Sequence, residues 1–247
     1  MTNPWDIKTS DKRESDTIVN FVIFCEDSVS EPVYFNYFET SKIKVNCIKN
    51  QKSMMKNVIN AIHHCETTGL LTHENGEHCM VEGTQVWCVF DRDKEETEER
   101  IQKGDIEFNA SIDTAERKGL NIAWSNDSFE LWVLLHFQEV ETTDINRQVY
   151  YDKLTEIFRQ LPNPNEDLQK ILVHQSYSYK RDFKSENNFR NVVRNEIIKN
   201  TKKAIERAKT LESKYQNNNL QNHQKSPITL VYKLVEELIK TGEKDIK

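Results

Sequence analysis

Two aspartates, Asp91 and Asp93, stand two positions apart directly after the apolar run QVWCVF, residues 85–90. In extended backbone, side chains at i and i+2 project to the same side, so one divalent cation can be held between this pair. A glutamate, Glu26, follows a second apolar run, TIVNFVIFC, residues 17–25, and Glu130 lies in SNDSFELWVLLHF, residues 125–137. Mg²⁺ takes hard oxygen ligands, keeps several waters, and is bound through one or two carboxylates plus substrate phosphate. A glutamate at a neighbouring strand end serves either as a base or as part of a second metal site. Two ions about 3.5–4 Å apart clamp the attacking and leaving oxygens of phosphoryl transfer. An Asp-x-Asp alone is common in surface loops and helix caps. Its weight here comes from the second apolar run that also ends in a carboxylate.

These residues need a scaffold that brings them to one place. Residues 17–25 and 85–90 are continuous runs of β-branched and aromatic residues, the pattern of strands buried on both faces. KIKVNCI, residues 42–48, and GLNIAW, residues 119–124, read as further strands. Helices are expected over residues 30–40, where Ser30 can cap and Pro32 suits an early position, and over Met54–Cys65 and 94–118. Residues 125–137 read as a helix capped by Ser125 or Asn126, with Trp132 in the core and His136 as a buried structural histidine. The polar stretch Thr67–Gly83 reads as a loop. Alternating strands and helices predict an α/β fold with a mostly parallel sheet flanked by helices. In such a sheet, ligands sit beyond the carboxyl ends of the strands, which places Glu26, Asp91, Asp93 and Glu130 on one rim. After residue 137 there is little strand signal. Tyr150–Gln160, Glu186–Tyr215 and Pro227–Lys240 read as helices. The expected organisation is a mobile leader over residues 1–16, an α/β core over 17–140, and a largely helical C-terminal extension over 141–247.

The chain has 247 residues, 36% hydrophobic and 30% charged, with net charge −6. That suffices for a core and excludes a bulk polycation, so nucleic-acid contact requires a local basic surface. Residues 180–214 supply one: eleven Lys or Arg against five Asp or Glu give +6, leaving −12 on the remainder. A long helix with a solvated face would show the same composition. There is no apolar run long enough for a transmembrane helix and no signal-peptide pattern at the start, so no membrane association and a cytoplasmic location are expected. The five cysteines, Cys25, Cys47, Cys65, Cys79 and Cys88, form no CxxC pair and are expected to be reduced. His63, His64, Cys65, His73, His78 and Cys79 match no structural zinc spacing.

The strings CEDSVSEPVYF, VWCVFDRD and SNDSFELWVLLHF, with KSPITLVYKLVEEL near the end, resemble the RloB-like family in order and over residues 19–240. That family is similar to Toprim nucleases. The first motif departs from the family pattern at Asp27, where glycine is usual, and at Ser30, where threonine is usual. The resemblance implies a Toprim-like fold and a metal-dependent nuclease using Mg²⁺ or Mn²⁺. It implies that Glu26 is the general base, that Asp91 and Asp93 are metal ligands, and that Glu130 is an additional metal or water ligand, with Glu26 also within the metal-binding set. It matches Lys180, in SYSYKRDF, to a position that could stabilise charge on the phosphate in the transition state. It further implies an ABC-class, RloA-like ATPase partner and a role in phage defence, in some cases by abortive infection. The chain has no GxxxxGK[ST] loop of its own, so ATP use would belong to the partner.

Two other readings stand beside this one. A catalytically silent subunit would bind and regulate the ATPase, and a primase-like nucleotidyl transferase would use the same carboxylates. The substrate, DNA or RNA including tRNA, is left open. In SPITLVYKLVEELIK, residues Ile228, Val231, Leu234, Val235 and Leu238 form one helical stripe, expected either to pack on the chain's own sheet or to serve docking of the ATPase or a second copy.

Overall fold

The computed structural model describes residues 18–52, 54–74, 77–93, 97–143, 146–216 and 219–246. The expected leader, residues 1–16, lies outside the described residues. The first strand, β1 (Val19–Cys25), sits inside a five-stranded sheet. Its side chains divide by alternation: Phe21, Ile23 and Cys25 enter one hydrophobic layer, while Val22 and Phe24 enter the other. That division is why the run is apolar without a period.

A short helix, α1 (Ser30–Phe35), leads to β2 (Ile43–Ile48), and α2 (Met54–Thr68) follows. A hairpin, β3 (Leu71–Glu74) with β4 (Glu77–Met80), precedes β5 (Thr84–Asp91). Next come α3 (Glu98–Arg117), β6 (Asn121–Asn126) and α4 (Glu130–Leu135). The sheet order is β2-β1-β5-β6 and then a last strand, β7 (Ile228–Thr229). The first four are mutually parallel and β7 runs antiparallel to β6. The expected mixed α/β architecture, a mostly parallel sheet flanked by helices, is the one observed.

Between β6 and β7 the chain is helical: α5 (Arg147–Arg159), α6 (Glu166–Leu172), α7 (Tyr179–Asp182) and α8 (Glu186–Asn188). A π turn, Phe189–Arg194, joins α8 to α9 (Asn195–Ile197), and a 3₁₀ turn, Ile198–Asn200, joins α9 to α10 (Thr201–Ser213). Residues 186–213 are therefore one helical path whose winding changes. The final helix is α11 (Val231–Gly242).

The two faces of the sheet are covered differently. Helices α2 and α3 bury Val58, Ala61, Phe108 and Ile112 on one face with Phe90 and Trp124. On the other, α1 and α4 pack with the C-terminal helices, and Tyr34, Trp132, Leu154, Val192 and Leu234 share one cluster. Of the expected helical stripe, Val231, Leu234, Val235 and Leu238 lie on α11 and are buried in this cluster, whereas the expected helix start at Pro227 is not seen: Ile228 belongs to β7 and is buried with Phe90 and Trp124 on the opposite face.

Four local expectations are corrected. Thr67–Gly83 contains the β3–β4 hairpin rather than only loop; its strands are four residues each and polar, so no apolar period marks them. Ser125 and Asn126 end β6 instead of capping a helix, because their side chains serve buried contacts. Ser125 Oγ lies 2.9 Å from Thr229 Oγ1, and Asn126 Nδ2 donates to the carbonyls of His223 and Lys225 at 3.0 and 2.7 Å. Ser30 is the first residue of α1, not its cap; the Asp27 carboxylate accepts the amides of Val29, Ser30 and Glu31 at 3.1, 2.9 and 3.2 Å. Strand β7 lies where no strand signal was found, since two residues cannot display a period.

Candidate metal centre at the sheet rim

Parallel strands β1 and β5 are neighbours in register Cys25↔Val89, so Glu26 and Asp91 emerge at the same edge. The Glu26 carboxylate accepts the Asp91 amide at 2.9 Å through Oε2. Asp91 in turn accepts the Phe129 amide at 3.0 Å through Oδ2. Each carboxylate thus spends one oxygen on backbone and is held in place by it. Beyond Asp91 the alternation expected of extended chain is kept. Arg92 turns away and pairs with Asp105 on α3, while Asp91 and Asp93 face the same cleft. Glu130, first residue of α4, completes the rim. The cleft encloses about 310 Å³ and is lined by all four predicted carboxylates.

Residues that sequence reasoning did not single out also line it. Glu31 is 1% exposed, and its Oε2 accepts the Asp27 amide at 3.3 Å. Arg147, Tyr151 and Lys184 enter from the helical half. The signal for Glu31 was present in its position at the start of the helix after Glu26. For Arg147, Tyr151 and Lys184 helical periodicity gave no such signal, because it does not say which face meets a cleft. Lys180 does not line the cleft; it is exposed, with Nζ 5.3 Å from the ring centroid of Tyr151.

The electrostatics follow from crowding. Burial pushes the Glu26 carboxyl up to about 7, against the opposing pull of the Asp91 amide and Arg147. Asp91 is raised well above the usual range by burial, then by the charges of Glu26 and Glu130. Glu31 is raised by burial, then by Asp27, Asp91 and Glu26. Burial likewise raises Glu130. The cleft therefore gathers more carboxylates than its lining cations, Arg147 and Lys184, can balance.

The donor set is oxygen throughout, the chemistry that a hard divalent cation takes. Glu26, Asp91, Asp93 and Glu130 would hold it. The fit is not a closed cage: among the described residues, no three acidic, histidine or cysteine side chains are grouped closely enough to grip an ion, and Asp93 is turned into an ion pair with Arg147. His136 is buried, its Nδ1 lies 2.8 Å from the Trp132 carbonyl oxygen, and burial lowers it to about 3. That matches the structural role expected of it. The cysteines are free, with Cys25, Cys65 and Cys88 buried.

The basic segment is less bare than its composition. Arg181 pairs with Asp182, Arg190 with Glu186, Lys199 with Glu196, and Lys209 with Glu236. Among the described residues, no helix is long and apolar enough to cross a membrane.

Fold and site together define an α/β protein with an acidic cleft at the carboxyl edge of a mostly parallel sheet. The chain belongs to the RloB-like protein family, whose model matches residues 21–238. Searches of curated proteins and of solved structures found no match.

Proposed function

We propose that this chain is a Toprim-type nuclease that hydrolyses phosphodiester bonds of nucleic acid with Mg²⁺ or Mn²⁺. The observation that carries this reading is the convergence of Glu26, Asp91, Asp93 and Glu130, from three separate segments, on one cleft where carboxyl groups outnumber the cations Arg147 and Lys184. A bound divalent cation supplies Lewis acidity and charge neutralisation to the phosphate. Asp91, Asp93 and Glu130 would hold the ion. Glu26, with a carboxyl near 7, is matched to taking the proton of the attacking water. The water oxygen bonds to phosphorus, the bond to the leaving oxygen breaks, and a proton from solvent completes the leaving group. Lys184 at the cleft and Lys180 behind Tyr151 offer positive charge to the phosphate backbone.

Family membership supports placing this activity in antiphage defence, as the effector of an ABC-class, RloA-like ATPase, in the cytoplasm. The test is cleavage of plasmid and total RNA by purified protein under Mg²⁺ or Mn²⁺, with and without the ATPase, against an Asp91→Asn control.

One observation favours a second reading. Asp93 is held by Arg147, and no ligand trio is assembled among the described residues. This suits a catalytically silent subunit that binds and regulates the ATPase. A wild-type protein that cleaves neither substrate but changes the ATPase rate of the partner would select it.

A further inference from the structure

Arg147 makes two unlike contacts with one side chain. It opens α5, and its backbone amide donates to Asp127 Oδ2 at 2.8 Å. Its Nη2 donates to Asp127 Oδ1 at 3.0 Å. Asp127 is 1% exposed, so this partner is fixed in the protein. The same Nη2 grips Asp93, whose side chain is 42% exposed. Asp93 lies two residues beyond the end of β5. One partner is therefore an anchor and the other is releasable. The hydrogen bonds of the Arg147 side chain to Asp93 and Asp127 all run through Nη2, and Arg147 lines the cleft.

We propose that Arg147 and a divalent cation compete for Asp93, so that Arg147 controls when Asp93 becomes a metal ligand. This rests on the reading of Asp93 as part of the metal centre. A guanidinium and a metal ion both seek the same carboxylate oxygen, and a carboxylate engaged by one is withheld from the other. The apparent affinity for the cation is then lowered by the fraction of molecules in which the clasp is closed. On release, the guanidinium stays tethered to Asp127 and presents its donors to the cleft, where a phosphate can take two of them side by side. Arg147 is thus a positioning residue for Asp93 and a contact for the substrate phosphate.

The experiment is titration calorimetry with Mn²⁺ alone on the intact chain, comparing wild type, Arg147→Met, Asp93→Asn and the double variant, with a thermal melt to confirm folding. Arg147→Lys, which keeps charge and stem, serves as a second variant if the methionine form does not fold. Removing the clasp should tighten Mn²⁺ binding by about tenfold for a clasp closed in nine molecules of ten. Arg147→Lys, which grips with one point charge, should tighten it less. The gain must disappear when Asp93→Asn is the background, because a mere change of local field would persist there. Cleavage should fall in Arg147→Met even as metal binding improves, and a purely structural role would not produce those opposite signs. Unchanged or weaker Mn²⁺ affinity in Arg147→Met, a gain that persists beside Asp93→Asn, or no Mn²⁺ binding by any form overturns the proposal. If wild type binds Mn²⁺ and Arg147→Met shows the gain, but wild type cleaves nothing, the competition stands and the nuclease reading falls.

Discussion

The Glu26 carboxylate accepts the backbone amide of Asp91 at 2.9 Å, so the two acidic ends of β1 and β5 are joined by a hydrogen bond rather than held apart. The bond fixes Glu26 without neutralising it, and burial leaves its carboxyl near 7. Several consequences can be measured.

The first is a pH dependence of stability. A glutamate whose folded value is raised from 4.5 to about 7 binds its proton more tightly when folded than when unfolded. Its contribution is fully present below about 4.5 and is lost as pH rises through about 7. Asp91, Glu31 and Glu130 are shifted in the same direction, so they add to the trend. Buried His136, lowered from 6.5 to about 3, opposes it below about pH 6.5, where the unfolded chain gains a proton that the folded one does not. In chelator-treated protein, Tm should therefore fall between pH 6.5 and pH 8. Added Mg²⁺ should raise Tm more at pH 8 than at pH 5, since it needs ionised ligands. A Tm that rises over this interval in the chelated protein would contradict the crowding described here.

Asp91 offers a cleaner separation of chemistry from folding than simple truncation allows. Because Asp91 accepts the Phe129 amide, Asp91→Ala removes both a repulsive charge and a bond partner, at a cost of about 1 kcal/mol for the latter. Asp91→Asn keeps an acceptor and removes only the charge. The asparagine form should melt higher than wild type in chelator at pH 8 and lose Mg²⁺-dependent cleavage by at least about a hundredfold. Cleavage at the wild-type rate in Asp91→Asn would remove Asp91 from the metal set.

Much of the candidate site was legible because its residues lie at the ends of apolar runs. Strands β1 and β5 announce themselves by side chains buried on both faces, and the acids that follow must fall at the sheet edge. Asp93 was legible through alternation, and Arg92, facing the opposite way into Asp105, shows that alternation at work. The rest was hidden for specific reasons. Asp127 stood in a string, Ser-Asn-Asp-Ser, that reads as a helix cap, yet its carboxylate anchors Arg147, twenty residues later. Arg147, Tyr151 and Lys184 reach the cleft through the packing of helices over the sheet, and pairing of that kind leaves no local pattern. The β3–β4 hairpin and β7 are too short or too polar for periodicity to mark.

The final helix is part of the core. Leu234 and Leu238 are fully buried, within the same cluster as Trp132 and Leu154. Leu238→Ala should cost about 2–5 kcal/mol, measured by urea unfolding. Deleting residues 226–247 would also remove β7, whose Thr229 meets Ser125 at 2.9 Å, and should give a protein that aggregates. A truncated chain that stays monodisperse and cooperative would return α11 to the surface as a docking element.

The two lysines near the cleft should separate by what they touch. Lys184 lines the cleft, whereas Lys180 is exposed and stands over the Tyr151 ring at 5.3 Å. An exposed ammonium on a ring face contributes about 0.5–1 kcal/mol and acts on substrate only through the field or through Tyr151. Lys184→Ala should weaken oligonucleotide binding and reduce the dependence of log K on log salt by roughly one counterion. Lys180→Ala should change that slope less. If Lys180 instead acts on the transition state, as its family position implies, its alanine form will lower kcat with binding nearly intact. The measurement is a salt series of binding in Ca²⁺ beside single-turnover rates in Mg²⁺. Equal, full-sized losses of salt slope in both variants would mean that the backbone runs along the outer face of α7 instead of into the cleft.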